Sequence, residues 1–128
     1  MQLHHIGVAC RDIEEEIGNI CRVHEVLERT PIVYDPCQEA TVAMLTLADG
    51  TRIELVAGAP VQTLLRKGIG YYHLCFEVGD IESEIARLVL QNALLLSPPK
   101  PSVLFGGRKV AFLQASYGLV ELLSANKD

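Results

Sequence analysis

The chain contains itself twice. HHIGVACRDIEEEIGNI, residues 4–20, aligns without a gap on YHLCFEVGDIESEIARL, residues 72–88. His5 meets His73, Asp12 meets Asp80, Ile13 meets Ile81, and Glu14, Glu16 and Ile17 meet Glu82, Glu84 and Ile85. Further on, TRIELVAG aligns with GLVELLSA and sets Glu54 against Glu121. In a chain of 128 residues, half the length is too short to make an ordinary domain alone. Whatever fold one copy adopts, the other must adopt too, and the two must share a single domain.

Each copy opens on a short apolar strand and then reaches an aspartate, Asp12 or Asp80, placed to accept the first backbone N–H groups of a helix. In the first helix Ile13, Ile17, Ile20, Val23 or His24 and Leu27 recur at three- and four-residue steps. Glu14, Glu15 and Glu16 load its first turn with favourable negative charge. Ile81, Ile85, Leu88 and Val89 repeat the stripe in the second copy. Three strands are expected after each helix: 32–34, 41–47 and 51–56, then 93–96, 109–113 and 119–123. Ala48-Asp49-Gly50 marks a hairpin, while Pro98, Pro99 and Pro101 followed by Gly106 and Gly107 predict a long irregular loop. The expectation is an α+β fold of two tandem βαβββ modules in one domain spanning 1–128. Module one covers about 1–58, a linker about 59–69 and module two about 70–128.

Alternation along the strands sorts the side chains by face. Ile6 and Val8 belong under the helix, as do Leu74, Phe76 and Val78, and Ile53 with Leu55 or Val120 with Leu122. His5, Glu54, His73, Glu77 and Glu121 then project from the helix-free faces. A carboxylate such as Glu121, set between Val120 and Leu122, is costly to bury unless paired or coordinated. A single histidine at a strand start is ordinarily structural, and His4 and His24 are read so. Two histidines and two glutamates at matching places in both copies are a different matter. If the two sheets curl toward each other, His5, Glu54, His73 and Glu121 line one cleft and form a nitrogen and oxygen site for Zn, Ni, Co, Mn or Fe.

Composition excludes several classes. A formal net charge of −5 leaves no general basic face for nucleic acid. No run approaches the ~18–20 apolar residues that span a bilayer, and the start lacks a basic region followed by an apolar stretch, so a cytoplasmic location is expected. Cys10, Cys21, Cys37 and Cys75 are widely spaced without a CxxC pair and are read as free buried thiols.

These residues resemble the vicinal oxygen chelate superfamily, which includes glyoxalase I, methylmalonyl-CoA epimerases, ring-cleaving dioxygenases and bleomycin-resistance proteins. The resemblance covers about residues 3–124. LHHIGVACRDIEEEI looks like the opening of the epimerases and glyoxalase-like relatives, APVQTLLRKGIGYYHLCFEVGDIESEI like their linker and second module, and GRKVAFLQASYGLVELL like their end. It implies paired βαβββ modules around a metal-holding cleft, with one ligand on the first and one on the last strand of each. Carried over, the ligands are His5, Glu54, His73 and Glu121, holding one divalent ion of Co, Ni, Zn or Mn. The resemblance also implies a homodimer.

The activity it implies is an isomerase or epimerase at the α-carbon of an acyl-CoA-type thioester, with Glu121 as one proton acceptor. Relatives have a second catalytic glutamate on the strand that here reads ATVAMLTL, and the register puts Val42 there; Glu39 reaches that place only if the register slips. Glu77 is the other candidate base. Before the GRKVAF segment the relatives have AHG where this chain has Phe105-Gly106-Gly107. Arg66, Lys67, Lys100, Arg108 and Lys109 are candidate partners for a CoA tail. A glyoxalase I-like lyase is an alternative, weakened because Ala9 stands where that enzyme has an arginine for glutathione. A binding or antibiotic-resistance protein is another, weakened by retention of all four ligand types. An extradiol-type dioxygenase, with two histidines and one carboxylate, is disfavoured by the extra Glu54.

Overall fold

A computed structural model of the chain describes residues 1–125. Both aspartates cap as the sequence requires. Asp12 accepts the Glu15 N–H at 3.0 Å and opens α1 (Ile13–Val23), and Asp80 accepts the Ser83 N–H at 3.1 Å and opens α3 (Ile81–Leu90). The chain separates into two units, one of His5–Tyr72 and one of Met1–His4 with the residues from His73 on.

In the first unit the strands are β1 (Gln2–Ala9, from His5 on), β2 (Val26–Arg29), β3 (Val33–Asp35), β4 (Ala40–Leu47) and β5 (Arg52–Gly58). They lie in the order β2-β4-β5-β1, with β3 also paired to β4; β1 and β5 run parallel and the other pairs antiparallel. Ile13 and Ile17 of α1 pack on Ala43, Leu45 and Leu55 of one sheet face, together with Cys10, Val8 and Ile53. Each such aliphatic side chain contributes about 1.5–3 kcal/mol by leaving water. The linker holds a 3-10 turn and the short α2 (Gln62–Arg66).

The second unit holds β6 (Tyr71–Val78, from His73 on), α3, β7 (Leu94–Pro101), β8 (Lys109–Ala115) and β9 (Gly118–Ser124). Its order is β6-β9-β8-β7, with β6 and β9 parallel. Ile81 and Ile85 cover Val78, Ala111, Leu113, Val120 and Leu122. The βαβββ plan is therefore realised in both units, and the α+β class holds.

Three boundaries differ from expectation. α1 stops at Val23, since His24 is extended (φ −125°, ψ 151°), and Leu27 belongs to β2 with 60% of its surface exposed. The apolar period running on to Leu27 has no core beneath it. Second, the strand after α1 is interrupted at Thr30-Pro31, and its halves β2 and β3 both pair with β4. Thr30 bridges the break, donating its N–H to Met44 O at 2.9 Å and accepting Met44 N–H on Oγ1 at 2.9 Å. Third, β7 runs through Pro98 and Pro99 to Pro101, which shortens the predicted irregular loop to residues 102–108. Among the described residues of its unit β7 pairs only with β8, and its register shifts between Leu95 and Ser97 and again between Ser97 and Lys100. Prolines are tolerated at such an outer strand with bulges.

Candidate functional site

Helix-side and open-side residues separate as alternation requires. Leu55 is fully buried against α1, while its neighbour Glu54 points the other way with 5% exposure. In β9 Val120 and Leu122 belong to the core under α3, and Glu121, 1% exposed, faces away from it.

Each unit makes the same pair by the same register. Glu54 is level with Gly7, two residues beyond His5, and Glu121 is level with Cys75, two residues beyond His73. The parallel pairing thus sets a histidine and a glutamate diagonally on one face. His5 Nε2 lies 3.3 Å from Glu54 Oε1, and His73 Nε2 lies 3.0 Å from Glu121 Oε1, all four residues being buried. Phe112, level with Glu121 on β8, meets the His73 ring edge-on at 5.5 Å and fixes its plane. Buried carboxylates need partners, and these imidazoles provide them.

The donor set also fits a divalent ion. Ligand atoms about 2.1 Å from a metal lie about 3.0 Å apart at right angles and about 3.4 Å apart at the tetrahedral angle. The separations in the two pairs fall in that range. Neutral imidazole nitrogen with carboxylate oxygen is a common set for Zn, Co, Ni or Mn.

The remaining candidates are placed as follows. Glu77 shares the open face of β6 with His73 and Cys75 and forms an ion pair with Arg108, whose Nε also donates to Ser124 O at 2.7 Å. Arg108 is thus tied into its own unit, which alternation gives no means of foreseeing. Arg66 Nη2 donates to Thr63 Oγ1 at 3.2 Å, while Lys67, Lys100 and Lys109 are exposed. Val42 is buried on the same face of its sheet as Glu54, level with Val56, and Met44 is level with Glu54 itself. Glu39 lies before β4 in the turn, exposed, at φ 53°. Ala9 is buried and donates its N–H to Gly70 O at 2.7 Å. His4 stacks edge-on with Phe105 at 5.5 Å, and His24 caps α1 through its N–H to Ile20 O. The four thiols are free as expected, but Cys21 and Cys37 are exposed rather than buried.

Residues 4–112 match the model of the Glyoxalase/Bleomycin resistance protein/Dioxygenase superfamily. The chain belongs to this superfamily. It is 30% identical over 118 residues to the ethylmalonyl-CoA/methylmalonyl-CoA epimerase of Cereibacter sphaeroides, covering 88% of this chain and 87% of that one. It is 24% identical to the mitochondrial methylmalonyl-CoA epimerase of Dictyostelium discoideum, covering 88% and 69%. In structure it is similar to methylmalonyl-CoA epimerase from Mycobacterium tuberculosis, with a TM-score of 0.76, 21% identity and coverage of 98% and 89%. That likeness carries the glyoxalase fold. Among the described residues no helix is long and apolar enough to cross a membrane.

Proposed function

We propose that this superfamily member is a divalent-metal-dependent isomerase or epimerase acting at the α-carbon of an acyl-CoA-type thioester. What carries the reading is the buried imidazole–carboxylate pair, made twice by one register. The proposal assigns His5, Glu54, His73 and Glu121 to a single ion of Co, Ni, Zn or Mn. The epimerase relatives, one at 30% identity along most of both chains, support the substrate class.

An ion held by His5, Glu54, His73 and Glu121 would supply Lewis acidity to a thioester carbonyl. The chain's own residues hold and move the proton. Glu121, partly released from the ion, would be the acceptor on one side of the α-carbon. Glu77 is the candidate on the other: it is level with Leu123, two residues along from Glu121, so the two α-carbons are about 8 Å apart on one face. Arg108 pairs with the Glu77 carboxylate and orients it. The apolar lining at Val42 and Met44 excludes water beside Glu54. Lys100 and Lys109, with Arg66 and Lys67, are assigned to the phosphates of the CoA tail. The reading includes a homodimer and a cytoplasmic location, and sedimentation analysis of the purified chain tests the first.

The deciding experiment is solvent deuterium exchange into methylmalonyl-CoA, ethylmalonyl-CoA and simpler acyl-CoA thioesters with Co, Ni, Zn or Mn added. Metal-dependent exchange in at least one is expected. Absence of exchange across the panel overturns the reading.

A further inference from the structure

A second cleft lies on the opposite side of the second unit from Glu121. It occupies about 560 Å³ where α3 ends over the β8–β9 hairpin, with Leu88, Leu113 and Val120 at its floor. Those three belong to the helix-side core, whereas Glu121 projects from the other face. The cleft is therefore independent of the proposed thioester chemistry.

The internal repeat supplies a control within the same molecule. The first unit has a cleft of about 440 Å³ at the equivalent place, between the end of α1 and the β4–β5 hairpin. There the lining carries His24, Glu25 and Asp49, and Asp49 accepts the Thr51 N–H at 3.0 Å. The matching residues in the second unit are Asn92, Ala93 and Ser116, none of them ionisable, and Gly50 at the hairpin tip is matched by Tyr117. The fold makes a cleft in both copies; in the second it is larger, has no charged side chain in its lining and carries an aromatic ring at its rim, with Met1 also lining it. Gln91, Asn92 and Gln114 place side-chain amides around an apolar floor. Leu94 and Tyr117 stand 63% and 69% exposed at the edge, a large apolar surface to leave in water. The volume lies within the range of small-molecule sites, which combine apolar walls with a few polar groups.

We infer that this cleft binds a small neutral molecule with an apolar body and one amide or hydroxyl end. The body lies on Leu88, Leu113 and Val120, and the polar end exchanges hydrogen bonds with the rim amides.

The test is titration of the chain with benzamide, hexanamide and octanamide, followed by the ¹⁵N–¹H signals of the Gln91, Asn92 and Gln114 side-chain amides. A saturable shift is expected with at least one neutral amide. Ser116→Asp, at an exposed position, and Ala93→Glu return the charges of the first unit. Each should weaken amide binding at least tenfold while leaving solvent exchange into thioesters unchanged. No saturable shift with any of the three amides overturns the inference, as does binding that survives both substitutions. A dimer that Ser116→Asp dissociates also overturns it, in favour of a second copy of the chain as the occupant.

Discussion

His73 and Glu121 face each other at 3.0 Å with 1% of each side chain exposed. That geometry makes an unequal prediction for the two partners. His73→Ala removes the imidazole that faces the buried Glu121 carboxylate and should cost about 3–5 kcal/mol of stability. Glu121→Gln keeps the volume, removes the charge and should cost less than about 2 kcal/mol, yet reduce thioester proton exchange by at least about a hundredfold. Urea denaturation of both variants measures the first contrast and deuterium uptake the second. Equal and small stability losses would mean that the carboxylate is wet.

The first unit repeats this pair at 3.3 Å between His5 and Glu54, and the proposal is that both pairs serve one ion. Free ion at a hundredfold excess over its dissociation constant should stabilise the wild-type chain by about 2.7 kcal/mol. His5→Gln or Glu54→Gln should remove most of that gain, although both residues lie in the other unit from Glu121. Thermal melts with and without Co, and cobalt binding followed by absorbance, give the answer. Full metal affinity retained in the His5→Gln, Glu54→Gln double variant would rule out a shared site.

The four candidate residues were legible because the repeat and strand alternation put the same side chains on the open face of both copies, whereas the parallel register that sets each histidine against its glutamate is seen only in the fold. Aligning His5 with His73 and Glu54 with Glu121 requires whatever diagonal one unit builds to appear in the other. Phe112 beside Glu121 comes from the register of the β8–β9 hairpin, with Ala115 opposite Gly118. What resisted reading depends on tertiary competition. The apolar period in 13–27 continues past the true end of α1, because the edge of β4 takes residues 26–29 as a strand. Prolines at 98, 99 and 101 argue against a strand, and only the position of β7 outside β8 makes one tolerable. The Arg108–Glu77 ion pair joins a residue of the 102–108 loop to β6, and no periodicity specifies that loop's path.

Glu77 and Arg108 are each partly exposed, so their pair contributes little to stability and its test is chemical. If Glu77 and Glu121 act on opposite sides of the α-carbon, Glu77→Gln should still wash deuterium into one enantiomer of methylmalonyl-CoA while losing interconversion by at least about a hundredfold. Arg108→Gln leaves Glu77 without its guanidinium and should reduce interconversion less, by roughly tenfold. Separate assays on the two enantiomers distinguish these outcomes. Unimpaired interconversion in Glu77→Gln would restrict Glu77 to its ion pair with Arg108.

The cysteines allow a prediction independent of any ligand. Cys21 and Cys37 are exposed, whereas Cys10 and Cys75 are buried, so two thiols should react rapidly with a disulfide reagent at pH 8 and all four only after unfolding. Burial pushes the Cys10 thiol up to about 11 from 9.0, with Glu16 and Asp12 adding to the rise and the Val56 carbonyl opposing it. Below pH 9 the thiol is protonated in both folded and unfolded chains and contributes no slope. Between pH 9 and 11 the unfolded chain releases the proton while the folded chain retains it, so the unfolded state gains and stability falls. Cys10→Ala removes that linkage and should flatten this part of the stability profile relative to wild type. Urea midpoints measured for both proteins from pH 8 to 11 give the comparison; identical slopes would show that Cys10 ionises as readily in the fold as outside it.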